Sequence, residues 1–149
     1  MVFIPGSQMK KMTMMSRSYR ELSRIETFDD RYKYLRLFGK VGEDVFGFDR
    51  YLNQAFYTSR DWRSVRSEAI IRDNGCDLGI PDREIGGTIF VHHIEPITLA
   101  MFEDEDPLLY DLDNLICVSG PTHRAIHYGD ESLLIKDYVP RRPGDTKLW

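Results

Sequence analysis

The sequence predicts an α+β fold, helices first and short strands after, on three observations. Apolar residues recur at three- and four-residue spacing between residues 18 and 72; short β-rich runs replace that spacing after Asp73-Asn74-Gly75; and a last helix is framed by Pro121 and Gly129. A chain of 149 residues suits one domain, which at this size buries roughly two-thirds of the surface that its unfolded chain exposes. Apolar residues at 42% and charged residues at 30% exclude a collagen-like or wholly disordered chain. No apolar run approaches the ~18 residues of a membrane span, and the start MVFIPGSQMKK has no secretory h-region, so a cytoplasmic, non-membrane protein is expected.

The elements follow in order. The first fifteen residues carry five of the six methionines and no sustained periodicity, so residues 1–17 are expected to be a flexible leader. Residues 18–58 read as an N-terminal helical extension. There Tyr19, Leu22 and Ile25 share a face, and Thr27 ahead of Asp30 resembles a capping box that opens a turn through Tyr32, Leu35 and Leu37, broken at Gly39 and Gly42. Residues 46–56 are rich in aromatics and fit neither the helical nor the strand template. Ser59 is the N-cap of a stronger helix, with Trp62, Val65, Ala69 and Ile70 inward and Arg60, Arg63, Arg66 and Arg72 outward. Asp73-Asn74-Gly75 stops it.

Strands are expected over residues 75–80, 88–94 and 115–119, the last two separated by a long acidic connection, residues 96–113, that contains Glu103-Asp104-Glu105-Asp106. Pro121 then opens a helix through His127, which Gly129 closes. Residues 132–149 are left as a tail. Cys76 and Cys117 make no disulfide framework and are expected to be free thiols. The net charge of −4 divides unevenly: residues 1–72 hold 14 Lys and Arg against 9 Asp and Glu, whereas residues 73–149 hold 6 against 15. The basic half can meet a polyanion, and the acidic half can hold cations.

All four histidines lie within 36 residues. His123 and His127 are four apart on the expected helix, so their rings share one face and can chelate one ion. His92-His93 ends an expected strand, from which a further nitrogen completes a three-histidine site with an open position, as a catalytic metal requires. An i,i+4 pair alone is more often two unrelated polar residues than a pair of ligands; the adjacent pair, with no histidine elsewhere, points to a site. Asn114, just before the third strand, either forms a turn or bonds backbone across the loop and holds the strand end of His92 and His93.

VHHIEPI (residues 91–97), DNLI (113–116) and THRAIH (122–127) stand in the order and approximate spacing of the HNH endonucleases, and the chain resembles that family. Residues 59–79 look like the helix and knuckle that commonly precede its motif. The longer stretch is similar to small HNH proteins of tailed bacteriophages and prophages, and the histidine pattern also to the nuclease domains of DNase bacteriocins. The resemblance implies a ββα-metal (His-Me finger) core over residues 59–131, preceded by a helix and N-terminal helices. It implies hydrolysis of DNA phosphodiesters, with His93 as general base, Asn114 orienting, His92 and His123 as metal ligands, and His127 as a further ligand or phosphate contact. A neutral imidazole suits the base role, and one divalent cation can neutralise the charge that builds on the phosphate. Because adjacent strand residues face opposite sides, His92 and His93 reach one phosphate only if the strand end is twisted or bulged, and such a distortion is expected.

Many relatives carry a zinc on two CxxC knuckles, but Gly79 and Gly120 stand where the second cysteines would be, so packing through Trp62, Ile70, Phe90 and Ile116 is expected in its place. Three imidazoles favour Zn2+, Ni2+ or Mn2+ over Mg2+, and the working ion stays open. DNA contact is expected from Arg60, Arg63, Arg66, Arg72 and Arg124, with the acidic loop turned away from the duplex and no reader module for sequence. The expected partners are DNA and, from the phage resemblance, a terminase in genome packaging. The alternative is a catalytically silent ββα metal-binding accessory protein.

Overall fold

The computed structural model describes residues 17–37 and 50–134, the side chains of residues 50–53 excepted. The leader through residue 16, the break at Gly39 and Gly42 and the tail from residue 135 lie outside the described residues. Helix α1 (Tyr19–Leu22) starts at Ser18, whose Oγ accepts from Glu21 N–H at 3.2 Å. Helix α2 (Phe28–Leu35) starts at Thr27, whose Oγ1 accepts from Asp30 N–H at 3.2 Å. The aromatic segment that fitted no template is helical from Arg50 onward, as α3 (Arg50–Thr58). Helix α4 (Arg60–Arg72) follows at once, because Ser59 Oγ accepts from Trp62 N–H and caps it.

The first expected strand, over residues 75–80, is absent. Asn74, Gly75, Leu78 and Gly79 all adopt left-handed backbone, with φ between 54° and 67°, which no strand tolerates. The segment folds as a 3₁₀ turn, Asp77–Gly79, joined to the following loop by one bridge between Cys76 and Glu84. The other two strands form: β1 (Phe90–His93) and β2 (Leu115–Val118) pair antiparallel, with His92 opposite Ile116 and His93 opposite Leu115. The acidic connection between them is more ordered than expected, containing α5 (Leu99–Glu103) and 3₁₀ turns Pro107–Tyr110 and Leu112–Asn114. Helix α6 (Gly120–Tyr128) begins with Pro at its first turn and ends at Gly129, at φ 64°. The fold is therefore α+β, helices around a two-stranded antiparallel sheet.

The sheet divides the core. Ile116 and Val118 of β2 pack with Leu22, Phe28, Tyr32 and Leu35 of the N-terminal helices and with Ala125 and Ile126 of α6. Leu115 faces the other way, into Phe56, Trp62, Val65 and Ala69 of α3 and α4 and Met101, Leu108 and Leu109 of the acidic connection. Tyr32 Oη donates to Ala125 O at 3.0 Å, tying α2 to α6. Among the described residues, no helix is long and apolar enough to cross a membrane.

Candidate metal centre

Directly opposed residues of an antiparallel pair project to the same side. The register thus sends His92 with Ile116 toward α6, and His93 with Leu115 toward α4. On α6, His123 and His127 are one turn apart and share the face that looks back at β1. The three rings of His92, His123 and His127 meet, each offering one nitrogen, with all these atoms within 4.8 Å of one another. His123 Nε2 and His127 Nε2 are 2.8 Å apart, one donating to the other. His92 is 3% exposed, and its Nε2 has no hydrogen-bond partner.

A buried imidazole nitrogen with nothing to bond is costly, about 1–3 kcal/mol, and a cation shared by the three rings removes that cost. Burial, followed by repulsion from His123 and His127, holds His92 well below the usual imidazole range. Burial pushes His123 down to about 4, with His127 and Arg124 acting in the same direction, and lowers His127 as well. Neutral rings at neutral pH are the form that ligates a metal. The donor set fits one divalent ion of the nitrogen-preferring kind.

His93 is not in this cluster. The bulge expected at the end of β1 is absent: pairing is continuous through His93, and the Ile94 N–H bond to Asn114 O at 2.8 Å extends it. The ring of His93 stacks on Trp62, centroids 5.0 Å apart and planes at 22°, and its Nε2 lies 3.0 Å from Leu109 O. A carbonyl can only accept, so Nε2 carries the proton and Nδ1 keeps the lone pair. Burial lowers His93 to about 4 despite that carbonyl.

Asn114, 1% exposed, hydrogen-bonds to backbone: its Oδ1 accepts from Glu95 N–H at 2.7 Å, and its Nδ2 donates to Leu108 O at 3.3 Å and Glu95 O at 3.4 Å. It fastens the end of β1 to the Pro107–Tyr110 turn and is a positioning residue.

The arginines separate into two kinds. Arg72, expected on the outer face, turns inward: it pairs with Asp73, donates to Leu112 O at 2.6 Å and Leu115 O at 2.5 Å, and lies over the Tyr19 ring. Its guanidinium is consumed by the fold, because the carbonyls that open β2 need donors. Arg66 is half-buried and donates to Ile89 O at 2.9 Å. Arg60, Arg63 and Arg124 are exposed.

Two carboxylates that brace the elements of the candidate site escaped the sequence. Asp73 Oδ2 accepts from Cys117 N–H at 3.0 Å. Asp77 accepts from Ser119 N–H at 3.0 Å and Oγ at 2.9 Å, and from Thr122 Oγ1 at 2.6 Å. These two carboxylates join the loop after α4 to β2 and to the start of α6, the element that carries His123 and His127. The apolar tie expected there is only partial, since Trp62 and Ile116 are buried but Phe90 is 40% exposed. The spacing D-x-x-x-D in DNGCD was the available signal. Both cysteines are buried and free, as expected.

No family model, curated protein or solved structure matches this chain.

Proposed function

We propose that this chain is a metal-dependent DNA endonuclease of the HNH type, in which β1, β2 and α6 form a ββα-metal core. The observation that carries this reading is the convergence of His92, His123 and His127, with a buried nitrogen of His92 left unbonded. When bound, a divalent cation supplies neutralisation of phosphate charge and acidification of water. His92, His123 and His127 hold it, each through one ring nitrogen. Arg124, exposed one residue beyond His123 and without an ion-pair partner among the described residues, meets the phosphate. In the base role that the resemblance gives it, His93 takes a proton at Nδ1, and because it stands on the other side of the regular strand from the trio, it reaches the same phosphate only if β1 distorts at its end. Asn114 fixes the strand end on which both histidines stand. Arg60 and Arg63 add sequence-independent contacts along the strand. The phage setting, and assistance to a terminase in packaging, belong to this reading through the HNH resemblance.

The side of the sheet that His93 occupies favours a second reading, the catalytically silent metal-binding accessory protein. One experiment separates the two: nicking of supercoiled plasmid by wild type, His123→Ala and His93→Ala, with Mg2+, Mn2+, Ni2+ or Zn2+ restored after EDTA. The nuclease reading expects wild type to nick with at least one ion and His123→Ala to lose both ion and activity. His93→Ala then keeps the ion and loses about 10²-fold or more of the rate. Wild type that binds an ion and nicks with none overturns the reading. Full activity in His93→Ala removes His93 from the chemistry and leaves it a strand anchor.

A further inference from the structure

A cleft of ≈ 390 Å³ adjoins the histidine trio along one side chain, Phe90. That ring stacks on His123, centroids 5.4 Å apart and planes at 21°, yet stays 40% exposed. A phenylalanine stacked on a ring of the trio, largely exposed and lining the cleft, offers the cleft an aromatic surface. Gly86 and Gly87 line the cleft without side chains, and a Cβ at either would meet nothing within 4 Å. At Gly120, which also lines the cleft, a Cβ would lie 3.6 Å from Arg124 Nη1 and 3.7 Å from Phe90 Cε2. One guanidinium and the edge of that aromatic surface therefore converge at the rim beside the trio.

The charged groups of the interior are largely engaged. Asp77 is bonded to Ser119 and Thr122, the guanidinium of Arg83 lies over the Phe28 ring at 3.6 Å, and Glu84 is exposed. What the cleft offers is a flat aromatic face inside and a cation at the mouth. That is the chemistry of a nucleotide, base inward and phosphate at the rim, and the volume falls in the range of small-molecule sites, roughly 300–1,000 Å³.

We propose that this cleft takes one unpaired nucleobase of a DNA strand, stacked on Phe90, with the neighbouring phosphate held by Arg124 at the trio. The proposal rests on the nuclease reading of that trio and names its substrate class: a base enters only after leaving its pair, so single strands, flaps and mismatched sites are preferred to intact duplex.

The test is binding in EDTA, where no strand is cut. A short DNA single strand carrying 2-aminopurine is titrated with wild type, Phe90→Ala, Phe90→Leu and Phe90→Trp, with an intact duplex of the same sequence alongside. Stacking quenches the probe in wild type and in Phe90→Trp. Phe90→Ala and Phe90→Leu lose the quench and bind the single strand about tenfold more weakly, while duplex binding changes little. Phe90→Leu keeps an apolar side chain on His123, so it decides the matter if Phe90→Ala does not fold. Equal losses on single strand and duplex, or quenching by Phe90→Leu as strong as wild type, overturn the proposal. A ribo-strand of the same sequence carrying 2-aminopurine is titrated in parallel, and tighter quenching by it assigns the base to RNA and overturns the proposal too. Failure here with plasmid nicking intact removes the cleft and leaves the nuclease. Phe90-dependent quenching without nicking leaves a strand-binding cleft and removes the hydrolase.

Discussion

Two adjacent imidazoles have opposite fates because a strand alternates. The Nε2 of His92 stands among nitrogens with no hydrogen-bond partner among the described residues, whereas His93 is stacked on Trp62 and bonded to Leu109 O. For the trio, His92→Ala should abolish stoichiometric Zn2+ binding measured by calorimetry, since two ligands one turn apart hold an ion far more loosely than three. Retention of wild-type affinity would show that the ion sits elsewhere. For His93, the sign of the pH effect is fixed by its lowered pKa. The folded ring titrates near 4 and the unfolded ring near 6.5, so the unfolded chain binds more protons between those values. His93 therefore stabilises the fold fully above about pH 6.5, and that contribution, up to ~3 kcal/mol, is lost as pH falls toward 4. Urea melts of EDTA-treated protein across this range should show the loss, to which the lowered His92, His123 and His127 add in the same direction, and His93→Gln should make the slope shallower without abolishing it. An unchanged slope in that variant would remove His93 as its source.

At the scale of elements, helix α4 is tied to the sheet by polar groups as well as by Trp62. Asp77→Ala leaves Ser119 N–H and Thr122 Oγ1 without their acceptor at the head of α6, and should cost about 2–4 kcal/mol in chemical denaturation. The same variant should weaken metal binding, because α6 carries two of the ligands. A loss of stability with unchanged metal affinity would show that α6 is positioned by its apolar face alone. The arginines of α4 give a paired prediction. Arg72→Ala should destabilise by about 1–3 kcal/mol through the carbonyls and carboxylate that it leaves unpaired. Arg60→Ala and Arg63→Ala should leave stability within about 0.5 kcal/mol and reduce the salt dependence of DNA binding by about one ion each. If all three behave alike, the division of the helix into a buried and a solvent-facing set of arginines is wrong.

For the whole molecule, the trio joins β1 to α6 on one side of the sheet, so an ion bound there ties the strand to the helix. Saturating Zn2+ should raise the unfolding free energy by roughly 2.7 kcal/mol at a hundredfold excess over Kd, and EDTA should reverse it. A thermal melt indifferent to both would show that the trio holds no ion in the folded state. The elements of this architecture were legible to different degrees. Local chemistry revealed the caps at Thr27 and Ser59, the Gly129 stop and the i,i+4 histidine pair, because each depends on residues only a few positions apart. Three features were legible only in the fold: the turn that replaces the strand over residues 75–80, the inward course of Arg72, and the two sides taken by His92 and His93. Each is settled by a partner more than 15 positions distant in the chain, the carboxylate of Asp77 under Ser119, the guanidinium of Arg72 at Leu112 O, and the carbonyl of Leu109 at His93. By itself the sequence singled out the four histidines and Asn114 as candidates; the pairing register of β1 with β2 decided which of them meet, because a strand assigns sides only once its partner is in place.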